Sequence, residues 1–352
     1  MIEANRINSV FLGILTIIAI GTVMDLAGRV LQPLVVAVLL SYILAWPIAF
    51  LVKLRFPRIL AILTVLLFLL GVLFLIGLFL YTSVNSFIYE LPDYQQRFNQ
   101  LFEDIVQQFE FLPDNFFTEI DWMTTLRVYL VSWSSSFVNI MTSAALLGLY
   151  LVFLLLEKPY MRDKIEHAFQ KVSKKDIGAI FNHINVQISK YLTIKLLVSL
   201  LTGILVYITT LSFGVDFPLI WGTLSFFLNF IPNIGSIFAV FIVTLYTFIQ
   251  FYPVVNPIIW VGILTTAINL IIGNFLEPRV HGAGLNLSPF FVLFSLLFWG
   301  WLWGAVGMII SVPVMVAIKI ICENIEILTP VSIIMGTTLD EHSDNEQRKE
   351  LS

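Results

Sequence analysis

Two short polar segments interrupt the most apolar part of the sequence, and they carry the side chains best suited to chemistry. The first is NFIPNIGS, residues 229–236, and the second is GNFLEPRVHGAGLNLSP, residues 273–289. Amide and hydroxyl groups can hydrogen-bond a neutral molecule, whereas a carboxylate can take a proton or a cation. The polar members of the second segment are Asn274, Glu277, Arg279, His281, Asn286 and Ser288.

Glu277 is the first candidate for an ion-coupling or proton-coupling carboxylate. A charged residue beside a membrane span is costly unless it is paired or hydrated, and for that reason it often marks a functional site. Asp25 is a second candidate, although Arg29 lies four residues further on and can neutralise it. The alternative for Glu277 is a plain link at the inner surface, hydrated or paired with Arg279.

NFIPNIGS divides a run that carries no charged residue or histidine from 217 to 276. The pieces on its two sides, 217–230 and 237–251, are short for a membrane span at about 1.5 Å per residue. They favour a re-entrant hairpin or two short tilted helices, followed by a full crossing at 257–276. Non-helical backbone at membrane depth needs protein or water as its hydrogen-bond partner. The break therefore predicts a cavity or a tight internal packing site, and each asparagine has helix capping as its alternative role.

A second interrupted stretch covers residues 289–321. It contains WGWLWG at 299–304, with Gly307 and Pro313 beyond. Both stretches open with a proline, Pro218 or Pro289, and carry a glycine 17 or 18 residues later. Paired interrupted segments build sites near the midplane in transporter folds, so a weak internal repeat is one interpretation. The other is coincidence, because proline and glycine are frequent in membrane helices.

Composition decides the class of protein. Of 352 residues, 59% are hydrophobic and 12% charged, with a mean hydropathy of +0.93, which excludes a soluble globule. A single cysteine, Cys322, excludes an intrachain disulfide and a cysteine-based metal cluster. The sequence has no GxxxxGK[ST], HExxH or GxSxG motif, so neither ATP hydrolysis by a P-loop nor these enzyme classes are expected. No metal, cofactor or nucleic-acid partner is predicted.

The apolar runs predict an all-α membrane protein with about eight transmembrane helices, some interrupted or re-entrant, and amphipathic surface helices. Lysine and arginine cluster at 53–58 and at 157–195, which places both links and the N-terminus in the cytoplasm. The predicted parts are three spans in 1–83, an outer amphipathic insert at 84–137, a fourth span at 138–156, a cytoplasmic amphipathic link at 157–194, a transmembrane core with interrupted helices at 195–322, and an acidic cytoplasmic tail at 323–352.

The two polar segments, together with FWGWLWGAVGMIISVPV at 298–314, resemble the autoinducer-2 exporter family over nearly the whole chain. Pro33, the Trp46-Pro47 pair, the outer insert, and the order Tyr191, Lys195, Gly203 extend the resemblance. Further residues that belong to these motifs are Pro278, Arg279, Ser288, Pro289, Gly304, Gly307 and Pro313.

The resemblance implies a multi-pass bacterial inner-membrane protein with cytoplasmic termini that exports the quorum-sensing signal, by facilitated or gradient-driven transport. Its partners would be the lipid bilayer, a small uncharged hydroxyl-rich signal, a proton or sodium ion, and further copies of the chain. Members of the family are also linked to sodium/proton exchange. The transport-path candidates on this basis are Asn229, Pro232, Asn233, Gly235, Asn274 and Glu277.

Two other functions compete with export. The first is a monovalent-cation/proton antiporter that uses Glu277, Asp25 or both. The second is a non-transporting membrane scaffold that acts through the outer helices or the acidic residues at 340–350.

Overall fold

A computed structural model describes residues 15–16, 19, 21–108, 128, 146–161, 163–168, 177–232, 234–281 and 286–337. Helices dominate this part of the chain, and it contains no strand. The chain divides into two compact units, which are described separately. Unit 1 comprises residues 1–62, 146–193 and 283–352, and unit 2 comprises residues 63–145 and 194–282.

Short links join the successive helices from 177 to 281, and residues 146–161 are helical as well. In chain order the numbered helices are α1 (Gly28–Lys53), α2 (Arg58–Gln108), α3 (Ile177–Ser212), α4 (Pro218–Leu228), α5 (Ile234–Phe251), α6 (Val255–Leu270), a π-helical turn (Ile271–Leu276), α7 (Glu277–His281), α8 (Pro289–Asn324) and α9 (Thr329–Met335).

Six helices in the described part are long and apolar enough to cross a membrane. They are Val30–Lys53, Arg58–Phe98, Ile177–Ser212, Ile234–Phe251, Val255–Val280 and Pro289–Asn324. A membrane interior leaves backbone N–H and C=O groups without water, and a helix satisfies them within the segment. The predicted all-α, multi-pass membrane architecture is therefore confirmed. Residues 138–145 of the predicted fourth span lie outside the described residues.

Two helices run past the predicted ends of their spans. Helix α2 continues without a break from the predicted third span into the predicted outer insert, as far as Gln108. Helix α3 joins the amphipathic link at Ile177 to the fifth span, which ends at Ser212. The predicted break at Pro113-Asp114-Asn115 and the acidic residues beyond 337 lie outside the described residues.

In unit 2, the break at NFIPNIGS separates α4 from α5. Helix α4 begins with Pro218 at its first position, where a missing N–H costs nothing, and ends at Leu228. Gly235, the second residue of α5, lies against the end of α4, and a Cβ added there would collide with the Leu228 carbonyl. Glycine is needed at this position because α5 approaches the end of α4 closely.

In unit 1, the second interrupted stretch is one assigned helix, α8, with a sharp break at Trp303 and Gly304. Gly304 has φ +60°, a conformation that favours glycine. The two arms fold back on each other, because Ser295 donates to the Ser311 carbonyl at 2.8 Å. A Cβ on Gly307 would collide with the Trp299 carbonyl. Gly235 and Gly307 therefore make the same kind of contact. Each lies against a backbone carbonyl of the helical segment that precedes the break.

Candidate functional site

Helix α3 carries a row of polar side chains in the interior of unit 2. Lys195, Ser199 and Thr202 are spaced four and three residues apart, so they share one face of the helix. All three are buried, Ser199 and Thr202 completely. Thr202 satisfies its hydroxyl by donating to the Val198 carbonyl of its own helix at 3.0 Å. Lys195 and Ser199 instead bond to residues of other helices.

Asn229 joins this row from the end of α4. Its side-chain amide donates to the Ser199 hydroxyl oxygen at 3.0 Å, and both groups are buried. The bond joins two side chains across the contact between α3 and the end of α4. The alternative prediction for this asparagine was that its side chain would cap a helix end. One turn earlier on α4, the Ser225 hydroxyl is also buried and finds no hydrogen-bond partner among the described residues. A buried polar atom without a partner is unusual, and a water molecule is one group that can satisfy it; the Thr244 hydroxyl is a second such atom among the described residues.

The contact between α3 and α4 is close because glycine lies on both sides. A Cβ added to Gly203 would lie 2.8 Å from the Gly222 carbonyl oxygen, and one added to Gly222 would lie 2.8 Å from the Gly203 carbonyl oxygen. Small residues let membrane helices approach to backbone contact in this way. The approach brings the Asn229 amide within reach of Ser199.

Glu277 lies at the other end of the polar row. Its carboxylate accepts a hydrogen bond from the Lys195 ammonium at 2.6 Å, and the two side chains are 18% and 5% exposed respectively. The sequence predicted Glu277 as an ion-coupling carboxylate or, alternatively, as part of a plain link, hydrated or paired with Arg279; the Lys195 partner is a contact that neither prediction included. The sequence placed Lys195 at the end of the basic inner link and in the motif order Tyr191, Lys195, Gly203, but it did not predict a pair with Glu277; Lys195 is buried inside a continuous helix.

A π-helical turn, Ile271–Leu276, immediately precedes Glu277. Such turns insert one residue into an α-helix, which rotates everything that follows, and they occur frequently at functional sites. The turn contains Asn274, which is exposed and therefore lies outside the buried row. The rotation therefore changes the side of the helix from which the Glu277 side chain extends.

The other predicted candidates lie elsewhere. Pro232 is half-buried in the link between α4 and α5, Gly235 is buried behind it, and Asn233 lies outside the described residues. Asp25, in unit 1, is exposed. The remaining motif residues divide by burial: Pro278, Pro289 and Gly304 are exposed, Ser288 is half-buried, and Gly307 and Pro313 are buried.

Unit 2 also contains a hydrogen-bonded aromatic cluster that the sequence did not reveal. The Tyr94 hydroxyl donates to the Asp216 carboxylate at 2.6 Å, and the Tyr246 hydroxyl donates to that of Tyr94 at 2.7 Å. The Trp221 indole donates to the Asp216 carbonyl at 2.9 Å and packs against Tyr246 at 4.4 Å between ring centroids. The cluster ties α2 and α5 to the link before α4. The residues are far apart in sequence, so no local pattern could have found them.

The sequence of the chain matches one family of known proteins over nearly its full length. The pattern of the AI-2E family of transporters matches residues 10–327, which is nearly the full chain. The chain belongs to the AI-2E transporter family. The predicted resemblance is thereby confirmed, and so is the assignment of the chain as a membrane transporter.

Individual relatives within the AI-2E family are similar over most of their length. A Borreliella burgdorferi protein named "Putative transport protein" is 37% identical over 94% of this chain and 91% of its own. The AI-2 transport protein TqsA of Escherichia coli is 34% identical over 90% of this chain and 91% of its own. These relatives indicate a transporter, and only the second name specifies a cargo.

Proposed function

We propose that this AI-2E family transporter exports autoinducer-2 across the bacterial inner membrane. The observation that carries the proposal is the buried row of neutral polar groups in unit 2, formed by Ser199, Ser225 and Asn229 beside the break after α4. The name of the similar E. coli protein, an AI-2 transport protein, supports the choice of cargo. Transport is facilitative or driven by an ion gradient.

The chemistry of these groups suits a small uncharged molecule that carries several hydroxyls. Amide and hydroxyl side chains both donate and accept hydrogen bonds, so the Asn229–Ser199 bond can be exchanged for bonds to a solute. The exchange keeps the number of hydrogen bonds nearly constant, which avoids the cost of leaving a buried polar group unpaired. The Ser225 hydroxyl, which lacks a partner among the described residues, supplies one further bond.

The proposed orientation follows the basic residues. The links that contain Lys53, Arg55 and Arg58, and the one at 157–194, lie in the cytoplasm together with both termini, and the segment after the third span lies outside. The chain acts as a homo-oligomer in the lipid bilayer. Export then runs from the side that carries the basic links to the side that carries the acidic insert.

A cellular experiment tests the cargo. The gene is deleted, and the ratio of extracellular to intracellular autoinducer-2 is measured with and without a plasmid that carries the wild-type gene. We expect the ratio to fall on deletion and to recover with the plasmid. An unchanged ratio in the deletion strain would remove autoinducer-2 as the cargo.

A monovalent-cation/proton antiporter is the second candidate, and the observation that favours it is the Glu277 carboxylate within the candidate span Val255–Val280. Everted membrane vesicles that contain the chain would then dissipate a pH gradient when sodium is added. The response should be lost in Glu277→Gln at a normal membrane level of protein. Wild-type vesicles that give no response would dismiss this candidate.

A further inference from the structure

Gln250, near the end of α5, bonds to two other segments of unit 2. Its side-chain amide donates to the Gly214 carbonyl at 3.0 Å, and its amide oxygen accepts from the Asp216 N–H at 2.9 Å. Its backbone carbonyl accepts from the Arg97 guanidinium of α2 at 2.9 Å. The end of α5 therefore lies beside the link that precedes α4, so α4 and α5 form a hairpin whose two open ends are adjacent.

These bonds and the two tyrosine bonds form one set, which we call the clasp. Tyr94 of α2 donates to the Asp216 carboxylate, and Tyr246 of α5 donates to the Tyr94 hydroxyl. The members of the clasp are Tyr94, Arg97, Gly214, Asp216, Tyr246 and Gln250. The clasp holds the part of α2 beyond the predicted third span against the open end of the α4–α5 hairpin.

The clasp and the buried polar row lie at opposite ends of this hairpin. At the end of α4, Asn229 bonds to Ser199 of α3. Ser199 lies 13 residues before Ser212, where α3 ends, which is about 20 Å along a helix. A solute that leaves the row along the hairpin toward the end of α3 therefore passes the clasp.

The link between α3 and α4 has an uncommon backbone conformation. Phe217 has φ +56°, in the left-handed region that is unfavourable for a bulky side chain, and Gly214 has φ +68°. Phe217 packs edge-on against Phe87 of α2, with 5.5 Å between ring centroids. Backbone strain persists only where surrounding contacts hold it, and it clusters in ligand clamps and switch regions. Contacts with α2 therefore help to hold the link in this conformation.

The polar part of the clasp can open because water can replace its bonds. Arg97 is exposed, and Asp216 and Gln250 are half-buried. A hydrogen bond that is exchanged for one to water contributes little net stability, unlike a bond between buried groups. The clasp therefore combines several weak bonds at one end of the hairpin, whereas the Asn229–Ser199 bond at the other end is buried.

We propose that the clasp is the outer closure of the transport path, and that α2 must release the link and the end of α5 before a solute can leave. The clasp is closed in this structure. The inference rests on the proposed export and its orientation, and it adds that the outer part of α2 controls the exit.

Chemical access to the buried row tests the clasp without any cargo. The reporter is Ser225→Cys in a Cys322→Ser background, because Ser225 is buried on α4 one turn before Asn229. A small membrane-impermeant methanethiosulfonate is added to intact spheroplasts, and its rate of reaction at position 225 is measured. Tyr94→Phe and Arg97→Gln each remove bonds of the clasp, so each should raise this rate by about 2-fold to 10-fold.

Tyr89→Phe is the matched control for Tyr94→Phe. Tyr89 lies on the same part of α2 and is 88% exposed, so removal of its hydroxyl should leave the rate unchanged. Unchanged rates in both clasp variants would overturn the proposal, and so would an equal rise in Tyr89→Phe. A rise that appears only in everted vesicles would place the clasp on the cytoplasmic side and would also overturn it.

A covalent bridge provides a second measurement that does not weaken the clasp. Tyr94→Cys and Tyr246→Cys are combined in the Cys322→Ser background and joined by a bis-maleimide with a reducible spacer. Autoinducer-2 efflux from proteoliposomes should stop in the bridged protein and return on reduction. Undiminished efflux through fully bridged protein would overturn the proposal. If the unbridged protein moves no autoinducer-2, the proposed cargo fails, and the reaction rates at position 225 still decide the role of the clasp.

Discussion

At the scale of single residues, variants of the Asn229–Ser199 hydrogen bond can distinguish a structural role of this pair from a role in transport. Asn229→Ala leaves the buried Ser199 hydroxyl without its donor, at a cost of about 1–3 kcal/mol. The double variant Asn229→Leu/Ser199→Ala replaces both partners with apolar groups, which is often nearly neutral for stability. We expect the double variant to recover the unfolding temperature of the wild type but not its rate of autoinducer-2 export.

The comparison requires export and unfolding temperature to be measured on the same preparations. For export we expect a decrease of about 2-fold to 10-fold in both variants, because at least one hydrogen bond to the solute is lost. Recovery of export together with stability in the double variant would show that the pair is only structural.

The buried position of Lys158 predicts how the stability of the chain depends on pH. It lies two residues beyond the predicted fourth span, its ammonium is 4.1 Å from the centre of the Tyr42 ring, and it donates to the Ser41 carbonyl at 3.1 Å. Burial lowers the pKa of Lys158 to about 8, against about 10.4 in an unfolded chain. Between these values the unfolded chain binds more protons, so this group makes stability rise with pH from about 8 to about 10.4.

Thermal unfolding of wild type and Lys158→Met at several pH values checks this prediction. The gain in unfolding temperature above pH 8 should be smaller in Lys158→Met than in wild type. Equal slopes for wild type and Lys158→Met would contradict the assignment.

The sequence indicated part of the buried row and missed the rest for a physical reason. Asn229 and Glu277 stood out because polar residues in an apolar run are costly, and both lie in the row. Lys195 belongs to the basic link by composition, and only the fold brings it to a carboxylate 82 residues away. Asn274 looked equivalent to Asn229, but the helical surface on which it lies is exposed.

At the scale of helices, the glycine contact between α3 and α4 should be sensitive to a single methyl group. Gly222→Ala places its Cβ about 2.8 Å from the Gly203 carbonyl oxygen and from the Tyr207 Cβ, so the helices must separate. Overpacking of this kind costs about 1–3 kcal/mol. Thermal unfolding should show a lower midpoint for Gly222→Ala.

Gly71→Ala is the matched control for this substitution. It lies inside α2, and a Cβ there meets nothing within 4 Å. We expect its unfolding temperature to equal or slightly exceed that of wild type, because alanine favours the helix. A loss of stability as large as that of Gly222→Ala would indicate a general effect of glycine replacement.

The positions of helix breaks were only partly predictable. Proline and asparagine at 229–233 forecast the end of α4, since proline cannot continue a helix without losing a hydrogen bond. The interruption of residues 289–321 was predicted, and the break in α8 falls at Trp303 and Gly304, inside the WGWLWG segment and nine residues before Pro313; the sequence did not say which residues of the stretch would leave the helix. The π-helical turn before Glu277 has no sequence signal of its own, because an inserted residue depends on packing with other helices.

At the scale of the whole chain, the proposed orientation can be checked with single cysteines. Cys322 is buried and is replaced by serine to give a background without thiols. Tyr89→Cys lies in the exposed part of the predicted outer segment, and Tyr160→Cys lies in the exposed part of the predicted inner link. A membrane-impermeant maleimide should label position 89 in intact spheroplasts and position 160 only after lysis. The reverse pattern would contradict the orientation.

Transport of autoinducer-2 by the purified chain is the most direct test of the central claim. Sealed proteoliposomes are loaded with the signal, and its efflux is compared with that from protein-free liposomes of the same lipid and from liposomes that contain Asn229→Ala. We predict efflux faster than in protein-free liposomes and slowed by the substitution. Wild-type efflux equal to that of protein-free liposomes, with and without an imposed sodium or proton gradient, would contradict the claim.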